Sequence, residues 1–372
     1  MASSDRILHL GFMPLIDSAP LVAAARLGFD RKHGLRFELH RQASWAAIRD
    51  KLVSGELDAV HALSGLVHGV HLGVGGMQAS LAVLLTLNHN GQSITVSQPL
   101  AQRLAEGASA QKALSTLGRV PVFAQTFPTG THAMWLYYWL AANGVNPLSE
   151  VRSIVIPPPR MAEALAAGEI DGYCSGEPWG LRAEVLGIGR RIVRSSEIWP
   201  EHPEKVLACR ADFVALEVET ALALAAAILE ACRWLDDASH RREALDWLTE
   251  PEVIGLPIEF LSSCLLGDAH TVTRFHNNGA VNVPYRSDGL WFASQFRRWG
   301  LLAPDIDESR CEAAIASIQR LEEYRQAAAR VGVPVPSQDR RESVLCDGVQ
   351  WTGRDALAYA DSFKIGARFM HT

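Results

Sequence analysis

The six cysteines of this 372-residue chain include no CxxC pair, and that removes the usual zinc-cluster and thiol-redox designs. Cys174, Cys209, Cys232, Cys264, Cys311 and Cys346 are widely spaced, and several read as reduced core thiols. No run of about 18 apolar residues is free of charges and turn signals, so no transmembrane helix is expected. Charge is modest: charged residues make up 20% of the chain and the net charge is −6. A weakly acidic chain lacks the overall basic field that attracts nucleic acid or an anionic membrane, so neither is expected as a direct partner. Any anion site must be built locally. Gly73-Val74-Gly75-Gly76 is glycine-rich, but the lysine and hydroxyl residue of a phosphate loop do not follow it. No nucleophile–base–acid order and no paired-carboxylate spacing stands out, so nothing argues for catalysis.

What is present is a globular composition, with 48% hydrophobic residues and a length that suits two domains of roughly 150 residues with some excess. The first part alternates strand and helix signals. Ile7–Phe12 reads as a strand, and Ser18 is placed to cap a helix that Gly28 ends. Leu35–His40 is a second strand; Ser44 caps a helix that Gly55 ends; Asp58–Ala62 is a third strand. Ala79–Leu87 is apolar, and Ile94–Val96 is a further short strand. The pattern then repeats. Val120–Ala124, Val151–Ile156, Asp171–Cys174 and Arg191–Arg194 read as strands, with Thr131 capping a helix over His132–Asn143 and another helix over Met161–Ala167. From about Val214 the chain turns helical, with Ala221–Leu235, Arg241–Leu248 and Ile306–Arg330 in helical period.

Strands alternating with helices imply parallel sheets covered on both faces. An internal echo supports two related lobes: Lys51–Ala59 and Ala164–Gly172 each read as a helix end, a glycine turn and an aspartate opening a strand. In open α/β sheets ligands bind beyond the carboxyl ends of the strands. The candidate site is therefore the set of loops Met13–Ser18, Gln42–Trp45, His61–Gly65, Gln125–His132 and Ser175–Trp179.

Several runs in these loops resemble a known family. Gly11–Pro20, Ala43–Leu52, Asn90-Gly91-Gln92, Thr131-His132 with Tyr138–Ala142, Gly176-Glu177-Pro178-Trp179, His202–Leu207, Gly279–Asn282 and Ser287–Phe292 look like the nitrate-binding proteins. Those are bacterial solute receptors of periplasmic-binding-protein type, and the likeness spans roughly residues 7–300. It implies a type II periplasmic-binding-protein fold: two α/β lobes around a ligand cleft, with added C-terminal helices. On that fold residues 1–96 and 206–372 form a discontinuous first lobe and 97–205 the second.

The resemblance also implies that Trp45, Gln92, His132 and Lys205 hold nitrate or nitrite, with Glu177, Thr131 and Ser18 in secondary positions. The chemistry agrees. Nitrate is planar, monoanionic and poorly hydrated, so it needs one cation, several donors and apolar walls. Lys205 supplies the charge; its bland alternative is a surface lysine in a turn. His132 opens a capped helix, where free N–H groups and the dipole favour an anion, against the alternative of a solvated helix-start histidine. Trp45 offers an indole N–H and a wall, or plain packing. Gln92 offers amide donors, or is a polar turn residue. A carboxylate beside an anion repels it, so Glu177 is expected to position Lys205, His132 or a loop. Bicarbonate-binding relatives are implied to carry an acidic residue and calcium where Lys205 stands here, so no metal and no cofactor is expected. His61, His68 and His71 are close enough in sequence to suggest a metal set, but ordinary core or loop histidines are the favoured reading.

The family has two branches, exported transport receptors and cytoplasmic nitrate/nitrite sensors. Met1–Asp5 is short and polar and Arg6 directly precedes the first strand, with no basic region, apolar region or lipobox cysteine. A cytoplasmic sensor is therefore expected. In that branch the implied partner is a NasT-like antiterminator of the ANTAR type, held inactive without ligand and released when nitrate or nitrite binds. The alternatives are the receptor of a nitrate ABC transporter and, on the same fold, an enzyme such as a thiamine-pyrimidine synthase or a desulfinase. The enzymes need a reactive cluster in the cleft, and the sequence offers none.

Overall fold

The structure, a computed structural model, describes residues 6–267 and 273–367. Met1–Asp5, on which the expectation about export partly rests, lies outside them. Ten strands build two large sheets. In chain order they are β1 (Arg6–Phe12), β2 (Leu35–Arg41), β3 (Ala59–Leu63), β4 (Leu81–His89), β5 (Gln92–Ser97), β6 (Val122–Gln125), β7 (Arg152–Val155), β8 (Gly172–Gly176), β9 (Gly189–Arg194) and β10 (Pro203–Arg210).

One sheet runs β2-β1-β3-β10-β4 and the other β7-β6-β8-β5-β9. The two orders are equivalent. Each has three parallel strands joined through helices, then an antiparallel strand delivered from the far side of the crossover: β10 against β3, and β5 against β8. The internal echo falls at matching places. Gly55 and Gly168 end their helices in left-handed conformation, with φ of 81° and 71°. The aspartate that follows then clamps the neighbouring parallel strand: Asp58 Oδ2 accepts from His9 N at 2.7 Å, and Asp171 Oδ2 accepts from Val122 N at 2.8 Å. One short sequence thus performs one job in both lobes, pinning the start of the third strand to the first.

The expected lobe boundaries are corrected by the strands. A break at 96/97 would cut β5, and one at 205/206 would cut β10. The chain crosses at the turn Asn90-Gly91, where both residues have positive φ, and returns before Pro203. Gln92 therefore belongs to the second sheet and Lys205 to the first, the reverse of the expectation. Hydrophobic pattern alone does not say which sheet a crossing strand joins.

Local expectations also shift. The Ser18 hydroxyl donates to Leu15 O at 2.8 Å and caps no helix N–H. The cap at the helix Thr131–Ala142 is Gly130, not Thr131. Ser44 does cap, accepting from Ala47 N at 3.1 Å. The helical stretch expected over Ile306–Arg330 divides into Glu308–Ile318 and Leu321–Arg330. At the break Gln319 bridges to Val83 of β4, and both helices bury an apolar face, Ile315 and Ile318 in one and Tyr324 and Ala328 in the other. They pack on the first lobe.

The lobes are in close contact. Ile16 N donates to Glu177 O at 3.0 Å and the Trp179 indole to Pro14 O at 3.2 Å. Gly65 lies so near the other lobe that a Cβ there would stand 2.6 Å from Thr129 O. The helix Arg286–Arg298 reinforces the arrangement: the Trp291 ring lies tilted against Trp135 of the second lobe, with centroids 4.9 Å apart, and against Trp199, also at 4.9 Å. Among the described residues no helix is long and apolar enough to cross a membrane.

Candidate functional site

Trp45, Gln92, His132 and Lys205 come together between the lobes, each no more than 2% exposed. Lys205 sits on β10, not in a surface turn. Trp45 is the first residue of the Ser44-capped helix Trp45–Ser54, and Gln92 opens β5. His132 is the second residue of the helix Thr131–Ala142. Lys205 Nζ stands 5.6 Å from the Trp45 ring, and the Trp45 and His132 rings are 6.4 Å apart.

Two carboxylates that the sequence reading did not single out hold the ammonium. Lys205 Nζ donates to Asp17 Oδ2 at 2.8 Å and to Glu204 Oε1 at 2.9 Å. Burial alone would lower the Lys205 pKa, but these two charges outweigh it and raise it. Burial would likewise raise the Asp17 carboxyl, yet Lys205 and the His61 imidazole hold it at about 2. His61 Nε2 lies 2.8 Å from Asp17 Oδ1 and fixes the second carboxylate oxygen. Glu204 also accepts from the Thr131 hydroxyl and from the Trp135 indole at 2.9 Å. The Gln92 amide completes the ring when its oxygen faces Lys205 Nζ at 3.2 Å and its nitrogen faces Glu204 Oε2 at 3.1 Å.

Asp17 and Glu204 were hidden for different reasons. Asp17 lies inside the Gly11–Pro20 run, and a carboxylate in a loop after a strand was a readable signal. Glu204 was not readable: no strand was expected over Pro203–Arg210, and consecutive residues of a regular strand point to opposite faces. A register shift between Pro203 and Lys205 breaks that alternation, so Glu204 and Lys205 both reach the site.

The remaining polar atoms show what the site lacks. The Trp45 Nε1–H and the His132 Nε2 are buried without a hydrogen-bond partner. Leaving such groups unpaired costs about 1–3 kcal/mol each, and an acceptor placed between the lobes would relieve both. His132 Nδ1 is occupied by Thr126 Oγ1 at 2.6 Å, and Nε2 is 3.5 Å from Glu204 Oε1. Burial lowers the His132 pKa to about 3, and it lowers His61 as well, so both imidazoles are neutral near pH 7. Gly176 borders the imidazole: a Cβ there would meet Leu15 at 3.2 Å and His132 Nε2 at 3.6 Å.

Of the secondary residues, Thr131 joins the cluster through Glu204, whereas Ser18 shapes only its own turn. Glu177 touches neither Lys205 nor His132. It accepts from Ser93 Oγ and Leu181 N, both at 2.9 Å, and pairs with Arg191 at 3.1 Å, so of its expected roles it fills the loop-holding one. His61, His68 and His71 do not converge: His61 binds Asp17, His68 Nδ1 faces Ser64 O at 2.7 Å, and His71 faces Ser317.

Two α/β lobes closed over a buried polar cluster with unpaired donors define a two-lobed binding protein of the periplasmic-binding-protein fold. The NMT1-like family matches residues 2–249. The nitrate/nitrite binding protein NrtA of Synechocystis sp. is 32% identical over 381 residues, covering 96% of this chain and 84% of that protein. The crystal structure of the periplasmic nitrate-binding protein NrtA from Synechocystis superposes with a TM-score of 0.91 at 31% identity, covering 96% of this chain and 98% of that one. The nitrate import ATP-binding protein NrtC of Synechocystis sp. is 34% identical, but this chain spans only 55% of its length. The bicarbonate-binding protein CmpA of Synechococcus elongatus is 29% identical, with 97% of this chain and 87% of that protein covered. The chain belongs to the NMT1-like family, among its NrtA-like members.

Proposed function

We propose that this chain binds nitrate or nitrite between its lobes and acts as a solute-binding protein, not as an enzyme. The observation that carries the reading is the buried gathering of Lys205, His132, Trp45 and Gln92, with the indole and imidazole nitrogens unpaired. A planar monoanion supplies acceptors to those two groups and brings negative charge to Lys205. Asp17 and Glu204 hold Lys205 in place as the site's cation, and the unpaired Trp45 and His132 nitrogens are the groups left open to an anion's oxygens.

The relatives' names favour the receptor of a nitrate transporter. One feature favours the cytoplasmic sensor that releases an ANTAR-type antiterminator: all six cysteines are free thiols, and an oxidising compartment tends to pair them. Either role uses closure. A ligand that touches both lobes binds the closed form better and populates it, so a partner that prefers the open form is released. The deciding experiment is co-purification of the full chain with an ANTAR-domain antiterminator, followed by nitrate. Release at saturating nitrate supports the sensor. A failure to associate, together with nitrate-dependent stimulation of a permease–ATPase complex, supports the receptor.

A further inference from the structure

On the outer edge of the first sheet, away from the anion cluster, three ligand-type side chains converge. His9 lies on β1; Glu38 and His40 lie on β2, the edge strand. Parallel pairing sets His9 opposite Glu38 and Gly11 opposite His40, so His9, Glu38 and His40 share one face of the two-strand edge. One nitrogen or oxygen from each lies within 4.8 Å of the other two. His9 Nδ1 is 2.9 Å from His40 Nε2 and 3.5 Å from Glu38 Oε2. Arg36 reaches only the other oxygen, Glu38 Oε1, at 4.0 Å, which leaves Oε2 turned toward His9.

We propose that His9, Glu38 and His40 form a site for a divalent transition-metal ion of the zinc class. Zinc bonds of about 2.0–2.2 Å in tetrahedral arrangement set ligand atoms roughly 3.3 Å apart, a value bracketed by the two spacings from His9, 2.9 Å to His40 and 3.5 Å to Glu38, the first of which is a hydrogen bond that an ion would replace. Two imidazoles and a carboxylate are a borderline nitrogen/oxygen set, which suits zinc and its neighbours in the series rather than calcium or magnesium. Half-exposed side chains, 44% for His9 and 39% for Glu38, leave a fourth position to water. None of the three is bonded to Lys205, Asp17, Glu204 or His132. All three sit in one lobe, so the ion fastens the edge strand to its neighbour and leaves closure alone. Sequence spacing gave no sign of the set, because His9 and His40 are brought together only by strand pairing.

The test uses the metal-free full chain titrated with zinc chloride by calorimetry, with a thermal melt alongside. The expected result is one zinc per chain in the micromolar range or tighter, with a higher melting temperature. The His9→Ala/His40→Ala double variant should lose that zinc-dependent shift and bind zinc at least about a hundredfold more weakly, and Glu38→Gln about tenfold more weakly. Nitrate isotherms of these variants should match wild type, which reports that they fold. Zinc binding by the double variant as tight as that of wild type would overturn the proposal, as would wild-type affinity weaker than about millimolar.

Discussion

Lys205→Met is the most informative perturbation of the anion site. Methionine keeps the length and volume of the stem and removes the charge. In the native protein Lys205 Nζ is fully buried, 2.8 Å from Asp17 and 2.9 Å from Glu204. Removing one member of a buried charge cluster typically costs about 3–5 kcal/mol, and here the cost is paid twice in different states. Without ligand, two buried carboxylates lose their cation, so the melting temperature falls and the Asp17 pKa climbs from about 2, because burial, already its largest influence, is no longer opposed by the ammonium. With ligand, nitrate meets two carboxylates and no ammonium, and affinity falls by roughly a hundredfold to several thousandfold. The assay is calorimetric titration with nitrate at neutral pH, after circular dichroism has shown that the variant is folded. If the single variant is too unstable, Lys205→Met/Glu204→Gln removes one charge of each sign and recovers stability. It should still not recover binding. A single variant that binds nitrate with wild-type affinity would refute the assignment of Lys205 as the ligand's cation.

Trp45→Phe keeps the wall and deletes the unpaired indole N–H, so nitrate binding should weaken by about 1–2 kcal/mol with little change in melting temperature; an unchanged isotherm would remove the indole from the ligand set. His132 has a pKa of about 3 in the free site, and an anion beside Nε2 favours its protonated form, so in the acidic range just above that value binding takes up protons and tightens as pH falls, by at most about tenfold per unit; calorimetry in acidic buffers of different ionisation enthalpy should detect the uptake, with none at neutral pH. His68, His89, His132 and His202 are all held by burial at about 4, 4, 3 and 3, below the ordinary histidine value of 6.5. The unfolded chain therefore binds more protons than the folded one below pH about 6.5, and stability should fall steadily from there to about pH 4, by up to about 1.4 kcal/mol per unit for each histidine; a flat thermal-melt profile over that window would contradict the burial of these rings. Asp171→Ala removes the clamp on Val122 N and the partner of Arg119, and should lower the melting temperature without abolishing nitrate binding.

Much of this architecture was legible because its signals are local. Ser44 as a cap, Gly55 and Gly168 as helix ends, and the aspartates that follow them all act within a few residues of their own position. The echo between Lys51–Ala59 and Ala164–Gly172 was readable for the same reason. The lobe boundaries were not, since the sheet that β5 or β10 joins is decided by pairing with strands far away in sequence. The four expected ligand residues meet; Trp45 and His132 lie in the lobes expected of them, whereas Gln92 and Lys205 are exchanged. Glu204 stayed hidden because no strand was legible over Pro203–Arg210, and in that strand a register shift brings it to the same site as Lys205. Thr131 has the chemistry of a helix cap, yet its hydroxyl is taken by a buried carboxylate.

Calorimetric titration of the full chain with nitrate, nitrite, and bicarbonate in the presence of calcium tests the central claim most directly. The site, with one ammonium fixed by Asp17 and Glu204 and two unpaired donors beside it, predicts one nitrate or nitrite per chain, no calcium requirement, and far weaker binding of bicarbonate. Calcium-dependent binding of bicarbonate, with no heat from nitrate or nitrite, would contradict it.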